Sequence, residues 1–231
     1  MKGLIKKIVH PIWAKIYFLK NKKVTNFSKY GIQLKIYPTV FHPGVFFSTQ
    51  FFIQFLTSKN LKNQSLLELG AGSGLISFYA SKQGANVVAT DINPEAIRGL
   101  KENALNNQLA ITIIESNLFE HVRIIDFDLI IINPPYYPKN PSNLMESAFY
   151  CGEQFEYFHQ LFQQISMEES TPSELYMILS EDCNIEHIKT IAATFSIYLI
   201  LVKEYKNWFE KNTIFQLSTH NIEISEASSQ L

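Results

Sequence analysis

The sequence predicts an α/β fold: a doubly wound, seven-stranded, mostly parallel sheet closed by an antiparallel pair of C-terminal strands and preceded by a small basic extension. Three observations predict it. From Leu66 onward, short apolar runs alternate with helical patterns. A glycine-rich turn joins the first run to the first helix. The last two runs, Ile197–Lys203 and Ile214–Ser218, have only the polar stretch Glu204–Asn212 between them. Alternating signals imply a parallel sheet between helical layers, whereas a connection without a helix leaves neighbouring strands antiparallel.

Taken in order, Leu66–Leu69 reads as a short buried strand and Leu75–Gln83 as the helix after it. Asn86–Thr90 is the next strand. Pro94–Asn107 follows as a helix with proline at its first position, where the missing N–H has no partner to lose. Ile111–Glu115 and Phe127–Ile132 are strands, Glu153–Met167 a helix, Leu175–Leu179 a strand and Ile185–Ala193 a helix. Ligands of such a sheet sit at the carboxyl ends of its strands, beside the point where strand order reverses.

The 231 residues suffice for a sizeable core, and 46% hydrophobic with 18% charged residues describes a folded globular chain. No apolar stretch is long enough to span a bilayer, and Lys6, Lys7 and Lys15 interrupt any signal-peptide core. Cys151 and Cys183 lie far apart and outside CxxC spacing, so the expectation is reduced core thiols in a cytoplasmic protein, with no metal site.

Charge is divided unevenly. Residues 1–67 carry eleven lysines and no acid, +11, while the remainder holds nine basic residues against 21 acids, −12. Such a split suits an anionic partner for the N-terminal part, or a basic face complementing an acidic domain. Leu4, Ile5, Ile8, Val9, Ile12, Trp13, Ile16 and Tyr17 recur at helical spacing between lysines, an amphipathic segment expected to dock on the core. The expected division is a basic extension over 1–36 and one domain over 37–231.

Glu68-Leu69-Gly70-Ala71-Gly72-Ser73-Gly74 follows the first strand and opens the first helix. Glycine lets the backbone turn tightly against a ligand, and a helix N-terminus offers unpaired N–H donors. Asp91 ends the second strand, where a carboxylate can accept both hydrogen bonds of a ribose diol. Leu75 stands where the dinucleotide pattern wants its third glycine, which disfavours a nicotinamide enzyme.

Those residues resemble the class I S-adenosylmethionine-dependent methyltransferases, whose fold is Rossmann-like. The resemblance implies that Glu68, Gly70, Gly72 and Gly74 surround the methionine end of the cofactor, and that Asp91 with Ile92 takes the ribose. In Ser116-Asn117-Leu118-Phe119, Asn117 stands where the family usually has Asp against the adenine, flanked by Leu118.

The fourth strand ends Ile131-Ile132-Asn133-Pro134-Pro135-Tyr136-Tyr137. Proline gives no N–H to a ladder, so the strand stops there. Asn-Pro-Pro-Tyr resembles the signature of the branch that methylates planar nitrogens, meaning exocyclic base amines and the side-chain amide of glutamine. The Asn133 amide oxygen and the Pro134 carbonyl would accept the two N–H bonds of the acceptor, freeing its lone pair, and Tyr136 would offer an aromatic face. Asn133 also borders the cofactor. Pro135, Tyr137, Phe46, Ser48 and Thr49 are expected on the substrate side, the last three from an upstream loop over residues 37–49. Family members acting on glutamine often carry acids there; this chain has Ser48, Thr49 and Gln50. His159, His187 and His220 receive no catalytic role.

Charge favours a base amine, adenine N6 of RNA or DNA, as acceptor, with nucleic acid binding by the +11 segment. The alternative is N5-methylation of a glutamine in a protein such as a release factor. A second alternative is a non-catalytic RNA- or ribosome-binding protein that keeps the fold.

Overall fold

The computed structural model describes residues 23–168, 174–208 and 210–219. The amphipathic segment over residues 4–17 and His220 lie outside them.

Strands β1 (Thr25–Lys29) and β2 (Ile32–Ile36) form an antiparallel hairpin that the sequence pattern did not reveal. Its turn is Tyr30–Gly31, both at positive φ (55° and 67°), as a two-residue hairpin turn of the twisted kind requires. Ile32, Leu34 and Ile36 alternate inward and are at most 2% exposed, so this part of the 1–36 segment belongs to the main core. The free edge of β2 is paired by side chains. Asn103 accepts from the Lys35 N–H (2.8 Å) and donates to its carbonyl (2.9 Å), and Asn107 does the same for Gln33 (2.8 and 2.7 Å). Two amides at i, i+4 on one helix thus replace a neighbouring strand.

Helix α1 (Ser48–Leu56) precedes β3 (Ser65–Leu69). Then come α2 (Leu75–Lys82), β4 (Asn86–Asp91), α3 (Pro94–Asn107), β5 (Thr112–Glu115), β6 (Leu129–Ile132), the single turn α4 (Leu144–Ser147) and α5 (Glu156–Ser166). The chain continues through β7 (Glu174–Ser180), α6 (Ile185–Thr194), β8 (Tyr198–Lys206) and β9 (Lys211–Ser218). Spatial order in the seven-stranded sheet is β5-β4-β3-β6-β7-β9-β8, parallel through β7, with β9 antiparallel to both its neighbours. Order reverses between β3 and β6, which places the ligand crevice above Leu69 and Ile132.

Both faces are covered. Leu66, Leu129, Ile131 and Ile178 pack beneath α1, α2 and α3, while Leu67, Ile130, Ile132 and Met177 pack beneath α5 and α6. Burial on both sides explains why β6 is Leu-Ile-Ile-Ile, without a polar alternate. Helix α5 starts three residues later than the pattern suggested, because Gly152 (φ 90°) and Phe155 (φ 59°) turn the chain first. Strands β8 and β9 extend into the Glu204–Asn212 stretch: cross-strand pairing there outweighs the polarity of the side chains.

Candidate active site

At the end of β3 the chain turns through Gly70, Ala71 and Gly72, then enters α2 at Gly74. The turn is shaped from the neighbouring strand end. Asp91 accepts the Gly72 N–H at 2.7 Å and the Asn93 N–H at 2.8 Å, and the Ala71 N–H reaches the Thr90 carbonyl at 2.7 Å. Burial pushes the Asp91 carboxyl up, and the N–H groups of Asn93, Gly72 and Ile92 oppose that rise.

Two glycines serve different needs. Gly72 (φ 54°) faces the crevice, and a Cβ there would meet only Phe41, at 3.7 Å. Gly74 (φ 79°) does not line the crevice; a Cβ there would collide with the side chains of Leu100 and Phe78. Gly74 therefore lets α2 pack on α3. Glu68 is 5% exposed and accepts from the N–H and hydroxyl of Ser77 in α2. Burial raises its carboxyl to about 8 against those two bonds.

Across the reversal point, Asn133 leaves the fully buried β6 and donates from Nδ2 to Ser48 Oγ, the first residue of α1, at 3.3 Å. The Pro134–Pro135 segment is clamped from beyond. The N–H groups of Tyr136 and Tyr137 both reach the Phe149 carbonyl (3.1 and 3.0 Å), and the Cys151 N–H reaches that of Tyr137 (3.0 Å). The Tyr136 and Tyr137 rings lie 4.8 Å apart at 58°, and their hydroxyls share a hydrogen bond. Burial, then Tyr137 and Glu210, lifts the Tyr136 phenol far above its ordinary range, so it is neutral at physiological pH.

These parts border one cleft of about 510 Å3, within the range of cofactor sites. Glu68, Gly70, Gly72, Asp91, Ile92, Asn117 and Leu118 line one end; Asn133, Pro134, Pro135, Tyr136 and Tyr137 line the other, with Phe46, Ser48 and Thr49. Gly74 alone of the sequence candidates stays outside. Asn117 spends its amide N–H on Glu120 (2.9 Å), which leaves the amide oxygen as acceptor. Phe41, Phe46 and Phe149 form a cluster with ring centroids 4.8 to 5.8 Å apart over the middle of the cleft. Phe149, Glu156 and Tyr157 also line it without being singled out as site residues from the sequence.

His159 packs against Phe195 and His187 against Phe155, both outside the cleft. Both cysteines are buried, their thiols pushed up to about 11 (Cys151) and about 12 (Cys183), and so are protonated. Among the described residues no group of three or more His, Cys, Asp and Glu could hold a metal ion.

Of the described charged residues, only Glu68, Asp91 and Glu156 line the cleft; no lysine or arginine does. S-adenosylmethionine carries a sulfonium and an ammonium cation beside a ribose diol, so these residues fit it. The acidic side chains offer oxygen acceptors to the ammonium and to the diol, Asp91 keeping lone pairs toward the latter, and the small residues at 70–72 leave room for close approach.

Known proteins resemble this chain in sequence and fold. A protein N5-glutamine methyltransferase of Methanocaldococcus jannaschii, so named provisionally, is 42% identical over 121 residues, 51% of this chain and 57% of that protein. The release factor glutamine methyltransferase of Streptococcus pneumoniae is 34% identical over 110 residues, 46% of this chain and 38% of that one. The matches thus span little more than half of the curated relatives, or less. A crystal structure of a methyltransferase from Pyrococcus furiosus shares the fold, with TM-score 0.60 and 18% identity over 90% of this chain and 97% of that one. The sequence profile of the methyltransferase small domain matches residues 31–149, from the β2 hairpin through the glycine turn and the proline pair to Phe149. The chain belongs to the methyltransferase small domain family.

Proposed function

We propose that this chain is an S-adenosylmethionine-dependent N-methyltransferase whose acceptor is the side-chain amide of a glutamine in a protein. The observation that carries the choice of acceptor is the make-up of the cleft, which among the described residues is lined by three acidic side chains and by no lysine or arginine. No described Lys or Arg lines it to meet a phosphodiester, and Lys139 at its rim lies over the Tyr150 ring (4.6 Å) and near Glu146, whereas nucleic-acid sites rely on Lys and Arg for affinity. None of the five described lysines of residues 1–67, Lys23, Lys29, Lys35, Lys59 and Lys62, lines the cleft. Among the described residues, Lys29 is held by Gln50, Lys35 by Glu102 and Lys59 by Glu174, and none of the three lines the cleft. The names of the archaeal and streptococcal relatives support the same acceptor. The charge-based lean toward adenine N6 therefore gives way to the glutamine reading.

An amide nitrogen is a poor nucleophile because its lone pair is delocalised into the carbonyl. In this reading the Asn133 amide oxygen and the Pro134 carbonyl accept its two N–H bonds and turn the lone pair out of conjugation. Bound S-adenosylmethionine supplies the methyl group: the C–N bond forms as the C–S bond breaks, sulfur keeps both electrons, and the nitrogen passes a proton to solvent. The proline pair and the Phe149 clamp hold both acceptors fixed, so alignment supplies most of the rate, a contribution of up to about 7–11 kcal/mol in well-oriented systems. Tyr136, neutral and ring-packed, confines the flat group. No base is needed before attack, since the nitrogen becomes acidic only as its new bond forms.

Incubation with methyl-tritiated cofactor and a cell lysate tests the acceptor. The label should be destroyed as macromolecule by protease, survive nuclease, and be released as methylamine on acid hydrolysis, as an N-methylated glutamine amide requires. Nuclease-sensitive label recovered as a methylated base would overturn the glutamine reading.

A further inference from the structure

A primary amide has nearly the same shape with its oxygen and nitrogen exchanged, yet only one orientation suits Asn133. The oxygen must face the acceptor; the reversed amide would turn two N–H donors against the acceptor's own N–H groups. Something other than shape must choose. In the structure Nδ2 of Asn133 donates to Ser48 Oγ at 3.3 Å, which turns Oδ1 the other way. Ser48 is 3% exposed, lines the cleft, and stands 85 residues upstream at the first position of α1.

The start of α1 is itself anchored from the far end of the chain. The Phe47 N–H donates to Glu210 Oε1 at 3.2 Å, and the same oxygen accepts from Asn212 Nδ2 at 2.9 Å. The Glu210 N–H in turn donates to Asn207 Oδ1 at 2.8 Å, inside the β8–β9 turn. Ser48 is thus held between the sheet's antiparallel edge and the strand that ends in Asn133.

We infer that Ser48 is a positioning residue: its hydroxyl fixes the Asn133 amide with the oxygen toward the acceptor. The inference rests on the proposed role of Asn133 and adds the group that sets its orientation. It also gives a function to the buried serine that begins α1, whose neutral hydroxyl can accept from an amide N–H without placing a charge there.

The test compares Ser48→Ala, Ser48→Thr and Asn133→Ala by two readouts. One is the ¹H–¹⁵N signal pair of the Asn133 side-chain amide, assigned by its loss in Asn133→Ala. The other is transfer from tritiated S-adenosylmethionine to the protein fraction of a lysate, as a function of cofactor concentration. Ser48→Ala should shift the Asn133 pair, lower the maximal rate ~10-fold and leave the KM for cofactor within about twofold, as expected for a lost orienting hydrogen bond. Ser48→Thr keeps the hydroxyl and should restore the rate to within about threefold of the parent. An unshifted Asn133 pair, or a parental rate in Ser48→Ala while Asn133→Ala is inactive, would overturn the role of Ser48 alone. Parental transfer by Asn133→Ala would instead sink the reading of the whole site.

Discussion

The two ends of the cleft are built differently. At the cofactor end, the contacts are made by backbone and by residues close in sequence: Asp91 holds the Gly72 N–H across 19 residues, and Glu68 holds Ser77 across nine. At the acceptor end the backbone clamp of Tyr136 and Tyr137 on Phe149 is local too, but side chains from distant segments are added to it. Ser48 meets Asn133 across 85 residues, and Glu210 meets Phe47 across 163. A cofactor common to a family can be held by one local supersecondary unit. A surface fitted to one acceptor is assembled from several elements, each free to vary without spoiling the turn that holds the cofactor.

Substitutions can break this division or sharpen it. The largest effect is expected from Asn133→Ala, which should lower methyl transfer at least ~100-fold, the scale of losing a preorganised polar group. Its affinity for S-adenosylhomocysteine, measured by calorimetry, should stay within about twofold, since the transfer role lies at the acceptor end. Gly74→Ala should act on folding before binding. A Cβ driven into Leu100 and Phe78 at φ 79° should cost about 2–4 kcal/mol in urea unfolding. Gly72→Ala, whose Cβ at φ 54° would meet only Phe41 at an ordinary contact distance of 3.7 Å, should cost less stability and more cofactor affinity.

Asp91→Asn keeps the size of the side chain but replaces one of the two oxygens that accept from Gly72 and Asn93. Calorimetry should show S-adenosylhomocysteine binding weakened ~10-fold, about one hydrogen bond to a charged group. An equal loss in Ser48→Ala would mean that the two ends are not independent.

A further effect concerns pH. Burial lifts the Glu68 carboxyl from its ordinary 4.5 to about 8. Between those values the folded protein keeps a proton that the unfolded chain has released, so stability is fullest below 4.5 and falls as pH rises through 8. Glu68→Gln cannot titrate, and urea midpoints compared at about pH 5 and pH 8 should show a smaller decline than in the parent. An unchanged decline would assign the slope to another group.

The sheet was legible because its strands are buried on both faces: Leu66–Leu69 and Leu129–Ile132 stand out as apolar runs whatever their partners. The β1–β2 hairpin was not. Only every second residue of β2 is apolar, and its edge is satisfied by Asn103 and Asn107 of α3, a pairing with no signature in either segment. Helix α1 hid in an aromatic run, Phe46–Phe52, whose burial comes from what packs on it. Glu210 drew no notice as a contact of the acceptor end, since its neighbours there come from the other end of the chain.

By itself the sequence determined the α/β order, the glycine turn, the acid at the end of β4 and the asparagine before the proline pair. Each depends on interactions within one short segment or on a hydrophobic pattern that holds in any packing. Tertiary structure decided that Gly74 supports packing, that no described lysine lines the cleft, and that a serine on α1 grips the asparagine amide. Those outcomes depend on which distant surfaces meet, and contact between segments 85 or 163 residues apart exists only once the sheet has formed around them.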